Sequence, residues 1–222
     1  MDLKILYEDN HLLFVMKPVN MPVQEDRTGD LDLLNAVKSD IKERYHKPGN
    51  VYVGMVHRLD RPVGGVMVFA KTSKAASRIS DVIRRQEMEK KYLAIVRGIP
   101  DKEFARLEDY LVKNKKKNIV HTSTKDNKEA KRALLDFEVL GTKKGLSLLA
   151  ITLHTGRPHQ IRVQLASRGL PLYGDQKYGE NVNKPGEQIA LWSNELALPH
   201  PTKKEEIRIS AAPPNEYPWN LF

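Results

Sequence analysis

Three pairs of short apolar runs, each joined by a polar turn, limit what this chain can fold into. The pairs are Leu3 to Glu8 with Leu12 to Lys17, two runs within residues 107–124, and Leu134 to Leu140 with Leu146 to Leu153. A short turn joins antiparallel strands, because a parallel pair needs a crossover of about a dozen residues or more. The sequence therefore predicts β-hairpins and a largely antiparallel sheet.

Helical spacing of apolar residues occurs in three segments between these strands. They are Leu33 to Tyr45, a stretch from Thr72-Ser73 with Ala76, Ile79 and Ile83 on one face, and a helix from Pro158 to a stop at Gly169. Further strands are predicted at 65–70, 90–96, 188–196 and 207–210. Helices and strands do not alternate regularly, so we predict an α+β fold: a mixed, largely antiparallel sheet with flanking helices.

Size and composition fit one domain. The chain has 222 residues, 40% of them hydrophobic, which is enough to bury a core. No internal repeat or linker-like segment divides the sequence. We expect residues 1–222 to form a single domain, or two closely packed subdomains.

Several kinds of site are excluded. The chain has no cysteine, so disulfides and thiolate-bound metals are ruled out. Walker-type, dinucleotide-binding and zinc-protease motifs are absent from the sequence. Asp26, Asp30 and Asp32 are better explained as turn formers than as cation ligands, and His154 and His159 do not share one face. We therefore expect no metal and no cofactor. Early acidic residues without a long apolar run favour a cytoplasmic protein.

The charge balance favours a polyanionic partner. Lysine and arginine number 37 against 28 aspartate and glutamate, a formal net charge of +9. Such an excess raises encounter rates with nucleic acid, although it does not identify the partner. Nucleic acid is the leading partner class.

One acid stands among basic residues just before a strand-like run. The tetrad His57-Arg58-Leu59-Asp60 is followed by Arg61 and then by the apolar run from Gly65 to Ala70. Two interpretations are open for Asp60: a salt bridge that pins the loop, or an ionised carboxylate presented to a polyanion.

The tetrad and two later motifs resemble the RluA-type family of RNA pseudouridine synthases. The tetrad with Gly65 and Ala70-Lys71 is similar to the catalytic motif, and residues 90–98 are similar to the family pattern Lys-x-Tyr-x-Ala-x-Val-x-Gly. The third motif, Thr-Gly-Arg-x-His-Gln-Ile-Arg and then Gly-Asp-x-x-Tyr-Gly, is matched at 155–162 and 174–179. The resemblance covers nearly the whole chain. It departs at Val63-Gly64, where many members carry Thr and Ser, and it leads us to expect a stand-alone catalytic domain without an N-terminal S4 RNA-binding module.

The resemblance implies an enzyme that isomerises uridine to pseudouridine in RNA, with a central active-site cleft and no cofactor. It implies that Asp60 is the catalytic carboxylate, that Tyr92 stacks on the base, and that Arg162 keeps the carboxylate ionised. Arg58 would fill the space left by a flipped base or hold its phosphate. The predicted substrate-binding set is completed by His57, Arg157, His159 and Leu191.

Simpler explanations exist for several of these residues. Tyr92 and Leu191 are explained equally well by core packing, and Arg162 by a surface position near a helix start. Asp175 is predicted to brace the third motif. Two other functions stay open: a non-catalytic RNA-binding or RNA-chaperone module, and a glycoside-type hydrolase that uses Asp60 with Asp175. We expect a monomer that binds structured RNA, either ribosomal or transfer RNA; the target uridine is not specified by the sequence.

Overall fold

The computed structural model describes residues 3–222, so Met1 and Asp2 lie outside the described residues. The chain divides into two compact units. Unit 1 takes Met1–Glu89 and Ser193–Ala212, and unit 2 takes Lys90–Trp192 and Pro213–Phe222. Along the chain the elements are β1 (Ile5–Glu8), β2 (Leu12–Lys17), α1 (Leu33–Arg44), β3 (Gly54–Met55), β4 (Gly64–Ala70), α2 (Ser73–Arg84), β5 (Glu89–Arg97), β6 (Phe104–Asn114), β7 (Ile119–Ser123), β8 (Lys131–Lys143), β9 (Leu146–Leu153), α3 (Gln160–Ala166), β10 (Leu191–Pro199), β11 (Glu206–Ser210) and a short 3₁₀ helix (Trp219–Leu221).

Unit 1 is built on antiparallel strands that α2 covers on one face. Strand β2 pairs with β1 and β4, β3 pairs with β4, and β10 pairs with β11. Alternate residues of β2 and β4, such as Phe14 and Val68, pack with Ile79 and Val82 of α2 in one buried cluster. Thr72 caps α2, since its hydroxyl accepts a hydrogen bond from the Ala75 N–H at 3.1 Å. The apolar alternation of the strands therefore fixes the position of the helix.

Gly65, near the start of β4, allows a close approach between two strands of unit 1. Its φ angle is +117°, and a Cβ at this position would lie 2.2 Å from the carbonyl oxygen of Ser193. The Ser193 hydroxyl donates to the Val66 carbonyl at 3.0 Å. Only glycine fits here, because any side chain would collide with backbone atoms. The glycine thus sets where the preceding loop ends.

Unit 2 is a five-stranded antiparallel arrangement in the order β5-β9-β8-β6-β7. Helix α3 packs on its β6–β8 part, where Val163 joins Leu111, Val120 and Ala133 in a buried cluster. A second cluster surrounds Ile95 and Tyr173. The helix that carries Arg162 is therefore held against a wide sheet surface.

The predicted α+β fold with largely antiparallel pairing is confirmed, as are the predicted hairpins and α1. Some boundaries were wrong. Strand β8 continues to Lys143 because a bulge near Gly141 keeps it paired, so the predicted turn at 141–145 shrinks to Lys144-Gly145, both with positive φ. Strand β10 begins at Leu191 rather than at Gln188.

The predicted apolar face of α2 is confirmed at Ile79, and Ile83 packs against the same cluster, but the face is centred nearer Ala75 and Val82 than predicted. The buried residues of the helix are Ala75, Ile79 and Val82, whereas Ala76 and Ile83 are partly exposed. Ala76 instead faces Gly54 of β3. A Cβ added to Gly54 would lie only 2.8 Å from the Cβ of Ala76. The short strand β3 was not predicted, and it occupies the space beside the helix.

The absence of a linker in the sequence has a simple cause. Two of the three unit boundaries, Glu89/Lys90 and Trp192/Ser193, fall within β5 and β10, and the third, Ala212/Pro213, lies just after β11. A strand has the same apolar pattern on both sides of such a boundary, so composition does not change there.

Candidate functional site

The tetrad lies in the loop between β3 and β4 of unit 1. Arg58 is exposed, Leu59 is buried and Asp60 is half-buried. The carbonyl oxygen of Asp60 accepts a hydrogen bond from the Val63 N–H at 3.0 Å, which closes a four-residue turn. The loop therefore presents two opposite charges, Arg58 and Asp60, on either side of an anchored leucine.

His57 and Arg61 hold the two ends of this loop. The Nε2 atom of His57 accepts the Val68 N–H at 3.0 Å, so this nitrogen carries no proton and the ring extends the pairing of β4. The Arg61 guanidinium donates to the Asn20 carbonyl at 3.2 Å and the Thr28 hydroxyl at 3.0 Å, and it pairs with Asp26 and Asp30. These bonds tie the loop to the segment at 20–30.

The three acids of that segment have structural partners. The Thr28 hydroxyl and N–H and the Arg61 guanidinium hold the pKa of Asp26 below its usual value, and Arg61 and Thr28 do the same for Asp30. Asp32 caps α1 by accepting the Asn35 N–H at 3.0 Å. Asp26 accepts the Thr28 N–H within its own turn, as the turn-former interpretation predicts, whereas the role of Asp32 as a helix cap was not predicted.

Arg58 differs from its neighbours. Within residues 3–222 it has neither a hydrogen bond nor an ion pair, and its side chain is exposed. An unpaired guanidinium next to a half-buried carboxylate suits contact with a phosphate or a base. This arrangement agrees with the substrate-binding role predicted for Arg58, which stays a prediction.

Sequence reasoning missed Lys17. The Lys17-Pro18 pair was interpreted only as the end of β2, yet the lysine is completely buried and its ammonium donates to the carbonyls of Arg61 and Val63. No local pattern signals this, because the partners lie far along the chain.

In unit 2, Arg162 and Asp175 form a buried ion pair. The Nε and Nη2 atoms of Arg162 donate to the two carboxylate oxygens, both at 2.8 Å, and the residues are 6% and 1% exposed. Burial alone would raise the pKa of Asp175, but Arg162 and the N–H groups of Lys177 and Tyr178 outweigh it and lower the pKa. The surface interpretation of Arg162 was wrong, and Asp175 braces the loop 174–179 as predicted.

Tyr178 brings two predicted site residues together. Its hydroxyl lies 2.7 Å from His159 Nδ1 and accepts the Val120 N–H at 2.9 Å. The Arg162 guanidinium lies 5.2 Å from the centre of its ring, within cation–π range. Tyr178 belongs to the quoted Gly-Asp-x-x-Tyr-Gly motif, but its role as a joint between His159 and Arg162 was not predicted.

The turn before α3 is fixed by a buried amide. Gln160 Oε1 accepts the Thr155 hydroxyl at 2.7 Å and the Arg157 N–H at 3.0 Å. The chain must fold tightly to make both bonds, and His159 takes a positive φ of 51°. The helix therefore begins at Gln160, not at Pro158 as predicted. Arg157 itself donates from Nε to the Arg132 carbonyl at 2.8 Å.

The remaining predicted residues are buried in unit 2. Tyr92 on β5 is 7% exposed and stands opposite Ile151 of β9, and Leu191 at the start of β10 is 5% exposed. Of the three predicted catalytic residues, Asp60 belongs to unit 1, and Tyr92 and Arg162 belong to unit 2. Their shared role stays a prediction.

Residues 3–222 contain neither a metal-binding cluster of side chains nor a helix suited to a membrane. Among residues 3–222, no group of three or more histidine, cysteine, aspartate or glutamate side chains could hold a metal ion. In the same part of the chain, no helix is long and apolar enough to cross a membrane.

Comparison with known proteins decides the family. A family model described as RNA pseudouridylate synthase matches residues 11–167, a range that contains Asp60, Tyr92 and Arg162. The chain belongs to this family. The synthase is 30% identical over 226 residues to the ribosomal large subunit pseudouridine synthase C of Buchnera aphidicola subsp. Baizongia pistaciae, which covers 93% of this chain and 66% of that relative.

Two further proteins are similar to the synthase. The tRNA pseudouridine synthase C of Vibrio cholerae is 30% identical over 230 residues, covering 94% of this chain and 90% of that one. The solved structure of human RNA Pseudouridylate Synthase Domain Containing 4 has a TM-score of 0.83 at 22% identity, covering 98% of this chain and 91% of the human one. It shows that the fold is shared. The predictions of an RNA pseudouridine synthase and of an isomerase are confirmed, and the non-catalytic alternative gains no support.

Proposed function

We propose that this synthase converts uridines of ribosomal or transfer RNA to pseudouridine with Asp60 as its catalytic carboxylate. The observation that carries the proposal is the Asp60 turn: a half-buried acid, closed by the Val63 N–H and bordered by an exposed arginine without a partner among residues 3–222. A carboxylate that reacts must be accessible and held in one geometry, and this turn satisfies both conditions. A salt bridge that only pinned the loop would not need the exposed Arg58.

The proposed reaction uses only groups of the protein and the RNA. Asp60 attacks the ribose at C1′ or promotes formation of a glycal, and the bond from C1′ to uracil N1 breaks. The uracil then turns and C5 bonds to C1′. On the first route the ester bond between Asp60 and C1′ breaks in this step; on the glycal route Asp60 removes the C2′ proton and returns it. Finally C5 loses its proton and N1 gains one, so Asp60 is regenerated and no cofactor is consumed. Tyr92 would stack on the base, and Arg162 would favour the ionised carboxylate.

The bidentate pair with Asp175 supports the proposed role of Arg162, because it fixes the orientation of the guanidinium. Two of the guanidinium nitrogens are fixed at 2.8 Å by a carboxylate that is itself buried, so the planar group has one orientation. Because the pair is buried, water does not compete for the guanidinium as it does at an exposed pair. His159 would contact the RNA from a ring already oriented by Tyr178. We also keep His57, Arg157 and Leu191 as proposed substrate-binding residues.

The RNA class is proposed from two relatives and the charge. One relative is named for the large ribosomal subunit and another for tRNA, and the synthase carries a net charge of +9. We expect a cytoplasmic monomer, which cell fractionation and light scattering would check.

A map of pseudouridine in the cell tests this proposal. Ribosomal and transfer RNA are isolated separately from cells with the intact gene, without it, and with Asp60→Asn. After carbodiimide labelling, mass spectrometry should show the same few sites missing in the second and third strains, in one of the two RNA fractions. An unchanged map in both fractions of the strain without the gene would contradict the proposed substrate class. Sites that are lost without the gene but still modified in the Asp60→Asn strain would contradict the role of Asp60.

The lysine-rich hairpin tip of unit 2 should contribute to RNA affinity. Lys115 and Lys116 are exposed between β6 and β7 and have no ion pair within residues 3–222. Each phosphate contact that is lost should weaken RNA binding. It should also reduce the slope of log K against log salt concentration by roughly 0.7–0.9 in magnitude. We expect a Lys115→Gln/Lys116→Gln variant to raise KM several-fold with kcat unchanged.

The matched control for the hairpin variant is Lys143→Gln/Lys144→Gln. It removes the same charge from the other hairpin of unit 2: Lys143 is the last residue of β8, where it donates to the Leu221 carbonyl at 3.3 Å, and Lys144 lies in the turn before β9. Filter binding is measured at several salt concentrations for both variants. Equal salt slopes for the two variants would mean that the tip has no specific role.

A further inference from the structure

The chain folds back on itself where α1 ends. The His46 N–H donates to the Glu43 carbonyl at 3.2 Å, and His46 has a positive φ of 48°. The Lys47 N–H donates to the Lys42 carbonyl at 3.0 Å. These two bonds are those of a Schellman motif, which gives main-chain donors to the last carbonyls of a helix. Residues 47–51 are thereby turned back towards the side of α1, and these carbonyls need no lysine side chain as a donor.

An open groove of about 400 Å³ lies between α1 and the returning segment. We call it the lysine groove, and it is lined by Lys38, Ser39, Lys42, Gly49, Asn50 and Val51. Two ammonium groups, a hydroxyl and an amide are available as donors along it, and none of the six residues is acidic. Its volume is in the range of ligand-binding pockets. The groove is therefore suited to an anion.

The two lysines of the groove have no acidic partner among residues 3–222. Arg44 of the same helix, by contrast, pairs with Asp40 at 2.6 Å and with Glu8 at 2.8 Å. Lys38 and Lys42 are four residues apart, so two like charges face each other across one helical turn and repel. The helix dipole favours a lysine in the last turn, which accounts for Lys42 but not for Lys38. A bound anion would remove the repulsion and account for both.

The lysine groove is separated from Asp60 by the length of a strand. Val51 is followed by β3, where Gly54 pairs with Ala70, the last residue of β4. The Asp60 turn precedes Gly64, at the other end of the same strand. Seven residues of strand span roughly 20 Å, whereas phosphates of one duplex strand follow at about 3.4 Å along the axis. An RNA that places its target at Asp60 would therefore reach the groove several nucleotides away.

We propose that the lysine groove binds a backbone phosphate of the substrate RNA outside the target nucleotide. Lys38 and Lys42 supply the charge, and the Asn50 amide and the Ser39 hydroxyl donate hydrogen bonds. The inference rests on the proposed function only in taking ribosomal or transfer RNA as the ligand. A phosphate carries no base identity, so the groove contributes affinity and fixes how the RNA lies on unit 1. A free phosphate or mononucleotide has the same chemistry, and the test separates it from RNA.

Two variants change the groove and one control does not. Lys38→Gln/Lys42→Gln removes both charges, and Ser39→Glu adds a carboxylate to the lining. Lysine, glutamine and glutamate have similar helix propensities, above that of serine, so α1 should fold in both variants. The control, Lys203→Gln/Lys204→Gln, removes the same charge from the exposed turn between β10 and β11 of unit 1.

RNA affinity is measured in the full chain at several salt concentrations. The probes for filter binding are transfer RNA and ribosomal RNA from cells that lack the gene. For the lysine double variant we expect binding weakened about tenfold and a slope of log K against log salt concentration reduced by roughly 1.4–1.8, the value for two lost contacts. Ser39→Glu should also weaken binding, because its carboxylate repels the phosphate. The control should stay within about twofold of the wild type, since exposed charges far from the RNA are screened.

Inorganic phosphate and a mononucleotide are titrated separately into the wild type and the lysine double variant, followed by NMR. Unchanged RNA binding in a variant that loses phosphate binding would overturn the inference, because the groove would then serve a free ligand. An equal loss of RNA affinity in the control would also overturn it. Thermal unfolding is measured for every variant, and Ser39→Glu decides alone if the double variant does not fold. Asp60→Asn should keep the wild-type salt slope, so a failure of the groove is distinguished from a failure of the proposed catalysis.

Discussion

Replacing Asp60 by asparagine should lower the rate of pseudouridine formation by on the order of 10³-fold or more, with the fold and RNA affinity retained. The amide has the same shape as the carboxylate but cannot attack C1′ or accept charge at the reacting ribose. The closing hydrogen bond of the turn should survive, since the Val63 N–H donates to the main-chain carbonyl of Asp60, which the substitution leaves in place.

The variant removes a charge as well as a nucleophile. Asp60 supports the protonated state of the buried Lys17, so the amide should leave that ammonium less stable. A modest loss of thermal stability is therefore expected together with the loss of activity. RNA binding should not weaken, because a carboxylate near phosphates opposes binding.

The control for this experiment is Asp81→Asn. Asp81 belongs to unit 1 and pairs with Arg84 and Arg85 on its own helix, so the substitution removes the same charge without touching the loop. Purified proteins are compared on RNA from cells lacking the gene, with pseudouridine counted by mass spectrometry. Activity of Asp60→Asn above about a tenth of the wild-type rate would assign the chemistry to another group.

Patterns within about ten residues predicted most of the fold. The hairpin turns, the Thr72 cap and the alternation in β2 and β4 are local signals, and each corresponds to an element of the structure. Where the neighbours are distant in sequence, the prediction was wrong. The face of α2 depends on the unpredicted strand β3, and the start of α3 depends on where the Gln160 amide finds its partners.

The site shows the same division. The motifs identified Asp60, Tyr92 and Arg162 as candidates because resemblance is read along the chain. Lys17 could not be found in this way, since its acceptors are the carbonyls of Arg61 and Val63, and any residue provides a carbonyl. A surface position was kept as an alternative for Arg162, because its place near a helix start does not indicate that Asp175 lies close by. Asp175 contacts it from a loop 13 residues further along the chain.

Replacing Asp175 by alanine should destabilise the synthase by roughly 3–5 kcal/mol, because it leaves a buried guanidinium without its partner. For a chain of 222 residues this corresponds to a fall in Tm on the order of 10 °C. The loss also frees the N–H groups of Lys177 and Tyr178. Arg162 would then have no fixed orientation, so activity should fall even at temperatures where the variant is folded.

The chain offers a matched control in Glu108→Ala. Arg132 and Glu108 form a bidentate pair with distances of 2.8 and 2.9 Å, almost the same geometry as Arg162 and Asp175, but their side chains are 53% and 45% exposed. An exposed pair contributes about 0–1 kcal/mol, since water solvates either charge when the other is removed. Burial is thus the variable that separates the two experiments.

Urea unfolding of Asp175→Ala, Arg162→Met and the Arg162→Met/Asp175→Ala double variant measures the coupling free energy between Arg162 and Asp175. Glu108→Ala is unfolded in the same way as the control. Removing both charges should cost less than the sum of the two single replacements, because no unpaired ion stays buried. A cost of Asp175→Ala no larger than that of Glu108→Ala would mean that the loop 174–179 relaxes enough to hydrate Arg162. In that case the orientation of Arg162 would have to come from Tyr178, whose ring it already contacts.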